Sequence, residues 1–334
     1  HDAGAGERVI VEFVSANPTG PLHAGHGRGA CFGDSVARLY ERIGHPVQRE
    51  FYINDRGTQM QLYAESLAAR AAGDEVPDGG YNGQYIVDWA AAMPDDADPL
   101  EWGYARALAD QREVLESLHI RFDTWFSERS MIGSGAVDAT LADLRAADAV
   151  YDEEGAVWLR SSDHGDDKDR VLVKSDGEFT YLLPDVAYHR DKFARADRLV
   201  NVLGADHHGY VARVHAAMHA LGHDPSELEV AITQLVNLQR GGQEVKLSKR
   251  TGDIVELGEV VAEVGADAAR FTYLLQSVDS AQAFDLELVA SQVNENPVFY
   301  VQYANARIHS IARRAAEAGV LRPDLVDTDL SVLG

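Results

Sequence analysis

Two short segments carry residues whose types and spacing suit work on phosphates. The first is Pro21-Leu22-His23-Ala24-Gly25-His26-Gly27-Arg28-Gly29. Its histidines are three apart, so one helical turn would put both on the same side. As hydrogen-bond donors, His23 and His26 suit charge developing on a reacting phosphoryl group. Gly25 and Gly27 let a ligand approach the backbone, and a helix start offers N–H groups to an anion. The second segment is Lys246-Leu247-Ser248-Lys249-Arg250-Thr251-Gly252, preceded by Gly241-Gly242. Cations on a Gly-flanked loop suit a mobile clamp on pyrophosphate oxygens. The plainer reading is a solvated basic loop. Scarcity weighs against it, because the lysines of the chain are Lys168, Lys174, Lys192, Lys246 and Lys249 alone. A compact, rotatable ammonium is kept where it is needed.

Other chemistries fit less well. Gly25-x-Gly27-x-Gly29 looks like a dinucleotide fingerprint, but its third glycine comes too early, and no acidic residue ends a second strand about twenty positions on. His23 and His26 have no third metal ligand nearby. His207, His208, His215, His219 and His223 lack the His-Glu-x-x-His pattern, so no protein metal site is expected. Taken alone, the first segment leaves a nucleotide site and an ordinary Gly-rich turn both open.

These residues need elements to hold them. Arg8 to Ser15 is an apolar, β-branched run that reads as a buried parallel strand. A Pro/Gly turn follows, then a helix from about Gly25 to Ile43 and a strand from Val47 to Tyr52. This is a βαβ unit and predicts a doubly wound, Rossmann-like parallel sheet in an α/β fold. Gly57 to Arg121 reads as helices broken by acidic turns, an α-rich insertion. Val157 to Arg160 and Arg170 to Leu183 predict a hairpin around Ser175-Asp176-Gly177. Leu199 to Leu203 and Val230 to Leu238 are further strand candidates, and Tyr210 to Leu221 a helix. Gly258 to about Gly319 reads as mostly helical. The expected division is residues 1–60 and 181–255 as the two halves of the sheet domain, 61–180 as the insertion and 256–334 as a helical segment.

Apolar residues make up 46% of the 334, an ordinary core fraction for a globular protein. No apolar run is long enough to span a membrane, and residues His1 to Glu7 do not resemble a signal peptide. The lone cysteine, Cys31, excludes an internal disulfide. A cytoplasmic location, with no membrane partner, fits. Acidic residues number 54 against 30 basic ones, a net charge of −24. Such a surface argues against nucleic acid in low salt. Because the acid is spread along the chain, a salty, halophilic cytoplasm explains it better, so charge does not decide whether RNA is a partner.

Together the two phosphate segments resemble the HIGH and KMSKS signatures of class I aminoacyl-tRNA synthetases, with Ala24 and Leu247 as mild departures. The stretch Val11 to Gly29 is similar to arginyl-tRNA synthetases. So are Tyr52-Ile53-Asn54-Asp55-Arg56-Gly57-Thr58-Gln59-Met60, Tyr181 to His189, Gly204 to Tyr210 and Val264 to Leu275. The resemblance covers nearly the whole chain. It implies a class I, HIGH-type fold and ATP-dependent, Mg²⁺-assisted activation of L-arginine, followed by transfer to the terminal adenosine of tRNA(Arg). By the same resemblance His23, His26, Lys246 and Lys249 are catalytic. Gly25, Gly27 and Ser248 join them around ATP, and Glu12, Ser15, Asn17, Tyr181, Asp185 and His207 hold the arginine. The residues themselves support that substrate. A guanidinium is best met by carboxylates, and Glu12 on an apolar strand is costly unless it meets a cation. Asp185 beside Tyr181 could bond to or stack on the same group. The alternatives are another HIGH-type nucleotidyl-transferring enzyme and a non-catalytic paralogue that binds arginine or tRNA. A monomer is expected. The tRNA-elbow domain and most of the anticodon domain of such enzymes are not recognisable here. The chain therefore reads as the catalytic part of a longer enzyme, weakly active or inactive by itself.

Overall fold

The computed structural model describes residues 6–207, 209–245, 255–291, 293 and 296–319. The chain begins β1 (Val9–Glu12), α1 (His26–Arg42), β2 (Val47–Ile53), α2 (Thr58–Ala72), α3 (Gln84–Ala92), α4 (Pro99–Ser117) and β3 (Thr124–Ser127). It continues through α5 (Glu128–Gly133), α6 (Ala136–Ala146), β4 (Val150–Glu153), β5 (Ala156–Leu159), β6 (Arg170–Val173), α7 (Leu182–Arg195) and β7 (Arg198–Gly204). The last part holds α8 (Val211–Ala220), β8 (Leu228–Thr233), β9 (Val236–Arg240), β10 (Gln243–Glu244), α9 (Leu257–Val264), α10 (Ala266–Tyr273), β11 (Gln282–Asp285), α11 (Leu286–Ala290) and α12 (Pro297–Glu317).

The main sheet has the order β3-β2-β1-β7-β8, and each neighbouring pair is parallel. Its order reverses direction between β1 and β7, the position where open α/β sheets bind ligands beyond their strand ends. The residues of β1 explain its central place. Val9 and Val11 enter one core cluster and Ile10 the other, so both faces are apolar and covered. Residues of α2, α3 and α4 enclose a smaller core around Tyr63, Leu67, Ile86 and Trp89. No helix among the described residues is long and apolar enough to cross a membrane.

Several expectations change. The first strand stops at Glu12 rather than Ser15, because Val14 and Ser15 take positive φ angles of 69° and 46°. Ser15 N–H donates to the Phe13 carbonyl at 3.0 Å, closing a γ-turn on Val14. That conformation is strained for a β-branched residue. The candidate strand Val230 to Leu238 is two strands in different sheets, with β8 beside β7 and β9 between β10 and β11. The hairpin around Ser175 forms and pairs Val173 with Phe179, but Leu182 and Leu183 already belong to α7. Alternating apolar residues and a helix start look alike over so few positions. β3 falls inside residues 61–180 yet joins the main sheet beside β2. β11 interrupts the helical tail and pairs with β9.

Candidate functional site

His23 and His26 meet at the switch point. His26 is the first residue of α1, and the two rings stack with centroids 3.7 Å apart at 27°. The His23 N–H donates to His26 Nδ1 at 3.1 Å, so a neutral His26 carries its proton on Nε2. The amides of His26 and Gly27 turn back to the carbonyls of His23 and Ala24. The helix start therefore has fewer N–H groups to offer than the glycines suggest, and the paired imidazoles stand out as its donors.

Gly27 serves packing. A Cβ there would lie 2.5 Å from the Tyr273 ring, whose hydroxyl donates to the Ala24 carbonyl at 2.7 Å. Arg28 is 1% exposed and binds backbone instead of phosphate. Its guanidinium donates to the carbonyls of Ser277 at 2.6 Å, Ser280 at 2.7 Å and Gln234 at 3.2 Å, with Gln276 at 3.4 Å.

Lys246, Ser248 and Lys249 lie outside the described residues. Their flank does not. His23 and Glu256 form an antiparallel bridge, Ala24 N–H donates to Val255 O at 3.0 Å, and Leu257 N–H to Leu22 O at 2.7 Å. The chain leaving the lysine segment is thus laced to the histidine segment, two stretches far apart in sequence.

The second half of the site lies at the end of β1. Glu12 is buried, at 5% exposure, and accepts from Ser15 Oγ at 2.9 Å through the strained turn. Ser15 Oγ in turn accepts from the Tyr52 N–H at 3.1 Å. The cation that Glu12 needs is Lys192, fully buried on α7, whose Nζ also donates to Asn201 Oδ1 at 2.8 Å. Asn17 Nδ2 donates to Gln59 Oε1 at 2.6 Å, which ties the turn to α2.

Asp185 stands in the first turn of α7. Burial pushes its carboxyl up to about 7, against a hydrogen bond from the Tyr210 hydroxyl; Glu12 and Glu128 raise it further and Lys192 lowers it. It keeps some contact with solvent, as a pocket-lining group would. Glu128 is itself buried and raised, first by burial, with Tyr52 and Arg56 opposing. His207 lies edge-on to Tyr210 with centroids 6.1 Å apart, in the same neighbourhood. Tyr181 caps α7 one turn before Asp185, but its ring is 92% exposed. The structure therefore gathers Glu12, Ser15 and Asp185 with His207 near them, and leaves the Tyr181 ring outside that group. Among the described residues, no group of three or more His, Cys, Asp or Glu side chains is placed to hold a metal ion.

This arrangement offers stacked imidazoles at one end and buried carboxylates at the other, joined by residues 13–22. The chain matches the family described as tRNA synthetases class I (R), catalytic domain, over residues 1–76 and 104–311. It belongs to that family. Arginine–tRNA ligases of Shouchella clausii and Bacillus subtilis are each 47% identical to it, over 99% and 98% of this chain. The chain spans 63% and 62% of those two relatives, less than two thirds of their length. A crystal structure of a protein assigned as an arginyl-tRNA synthetase from Campylobacter jejuni superposes with a TM-score of 0.85 at 38% identity, covering 98% of this chain and 75% of that one. Thermus thermophilus arginyl-tRNA synthetase shares the fold, with a TM-score of 0.76 at 22% identity over 97% of this chain and 67% of its own.

Sequence reasoning passed over Lys192, Glu128 and Tyr210. The signal for Lys192 was present, since the scarcity of lysine applied to it as much as to Lys246 and Lys249. Asp55, in the Asn-Asp-x-Gly-x-Gln stretch, accepts from Ser127 Oγ at 2.6 Å and Arg129 N–H at 2.9 Å, and so fixes the helix start that carries Glu128.

Proposed function

We propose that this chain forms the catalytic core of an arginine–tRNA ligase, acting as a monomer in the cytoplasm. An arginine carboxylate oxygen attacks the α-phosphorus of ATP, giving arginyl-adenylate, and the bond to the β-phosphate breaks to release pyrophosphate. The 2′-hydroxyl of the terminal adenosine of tRNA(Arg) then attacks the arginyl carbonyl and displaces AMP. His23 and His26 donate hydrogen bonds to the α-phosphate as charge builds. Lys246, Ser248 and Lys249 close on the leaving pyrophosphate, with Gly25 and Gly27 shaping the ATP cradle. Mg²⁺ comes with the nucleotide and needs no protein cage of its own. Glu12, Ser15 and Asn17, with Asp185, Tyr181 and His207, hold the amino acid. The acidic surface suits work at high salt.

The observation that supports this reading is the antiparallel bridge between His23 and Glu256, which lays the chain that follows the lysine segment against the histidine segment. The test is isothermal titration with L-arginine, L-lysine and L-citrulline, repeated with tRNA(Arg), alongside pyrophosphate exchange. Arginine alone should bind saturably, and Asp185→Ala should abolish that binding. Lys249→Ala should lose exchange while still binding arginine. A folded chain that binds no arginine even with tRNA present would refute the proposal.

A further inference from the structure

Asp185, His189 and Lys192 share one face of α7, at spacings of four and three. That face meets Glu50, Glu12 and Asn201, three registered positions on the adjacent parallel strands β2, β1 and β7. Two carboxylates side by side repel unless each has a cation. α7 supplies both, Lys192 to Glu12 and Arg195 to Glu50.

The two pairs are built differently. Arg195 grips both oxygens of Glu50, at 2.6 and 3.0 Å, and the Tyr188 hydroxyl adds a bond at 2.8 Å. Lys192 takes one oxygen of Glu12, while the other holds the 2.9 Å bond from Ser15. A guanidinium fork fills a carboxylate edge, whereas an ammonium is a point charge that leaves lone pairs for a second cation. The ammonium is itself pinned, by Asn201 Oδ1 at 2.8 Å and by the Tyr188 ring, whose centroid is 4.3 Å away. His189 closes the row, bonding Asn201 Nδ2 through Nε2 at 2.7 Å; burial first, then Lys192, pushes its imidazole well down, so it adds no charge.

We infer that Lys192 is a positioning residue of the arginine pocket: it fixes Glu12 by one oxygen and leaves Asp185 as the carboxylate whose charge answers the incoming guanidinium. The inference rests on the amino-acid pocket proposed above. Asp185 is faced by Glu12 from β1, Glu128 from α5 and the hydroxyl of Tyr210 ahead of α8, with Tyr52 of β2 close by. Lys192 is the cation that works on it from within α7. Removing that ammonium leaves Asp185 among carboxylates with less to oppose them, so arginine must bind at a higher pH to find it ionised.

The experiment is L-arginine titration of the whole chain between pH 5.5 and 8.5, for the wild type, Lys192→Met and Lys192→Arg. The wild-type affinity should rise with pH through a midpoint near 7 and level off above about pH 8. Lys192→Met should move that midpoint up by about one pH unit. Its arginine binding is then about tenfold weaker at pH 6 and within about twofold of wild type at pH 8.5. Lys192→Arg keeps the charge and should restore the midpoint. A loss that is equal at every pH would mark a merely structural lysine and overturn the inference. Should Lys192→Met fail to fold, Asn201→Asp draws a second carboxylate onto the ammonium and must raise the midpoint too; an unmoved midpoint there also overturns it. A wild type that binds no arginine at any pH is a different failure, that of the pocket.

Discussion

Replacing Asp185 by asparagine should stabilise the unliganded protein and abolish arginine binding, and the gain should grow with pH. The carboxyl is raised from an ordinary 3.8 to about 7, chiefly by burial. A raised carboxyl contributes stability that is fully present below the unfolded value and is lost as pH rises through the folded one, because the folded state must give up a proton it holds tightly. At about 1.4 kcal/mol per pH unit, the raised carboxyl costs the fold about 4 kcal/mol at pH 9, where both states are ionised, and about 1.5 kcal/mol at pH 5, where only the unfolded state is. Some solvent reaches the carboxyl, so the difference between the two pH values is best taken as about 2–3 kcal/mol. Asparagine keeps an oxygen to accept from Tyr210 and has no proton to lose. Urea unfolding of both proteins at pH 5 and pH 9 reads this directly, since other titrating groups cancel between them. The advantage of Asp185→Asn should widen by about 2–3 kcal/mol at the higher pH. A gap that stays constant with pH, or that narrows, would show that Asp185 is not held in a desolvated pocket. A pocket that destabilises its own fold is what a binding carboxylate awaiting a cation should look like.

Two packing predictions follow from the histidine segment. Gly27→Ala would gain about 1 kcal/mol from helix propensity alone, but its Cβ falls 2.5 Å from the buried Tyr273 ring. Overpacking dominates, and urea unfolding should show a net loss of about 1–2 kcal/mol; a stabilised variant would mean that Tyr273 moves freely. Arg28→Met removes the guanidinium that gathers the carbonyls of Gln234, Gln276, Ser277 and Ser280, of which Ser277 keeps its bonds from the Ser280 N–H and hydroxyl. It should cost about 1–3 kcal/mol and speed proteolytic cleavage near residues 276–280, whereas a loss under about 0.5 kcal/mol would show that those carbonyls find other donors.

The sequence made the parallel sheet legible because β1 and β7 are apolar runs buried on both faces, and β2 follows the first helix at the spacing of a βαβ unit. It hid the end of β1. Nothing in Phe13-Val14-Ser15 announces two positive φ angles, since the turn is imposed by what Ser15 and Glu12 bond to once folded. The split between β8 and β9 was equally hidden, because an apolar run does not say which sheet each half joins. The site followed the same division. His23, His26, Glu12 and Asp185 stood out by type or by cost: an acid on an apolar strand must find a cation, and it does. Which cation it finds depends on register. Glu12 lies beside Glu50 and Asn201 only because β1 pairs in parallel with both β2 and β7 at that offset. A slip of one residue in β1 would turn Glu12 to the opposite face and leave the buried Lys192 ammonium without its carboxylate. The price of that misregister, an uncompensated buried charge of several kcal/mol, means that the pocket and the sheet select each other. The ion pair between Lys192 and Glu12 thus also helps to specify the register of the strand that carries Glu12.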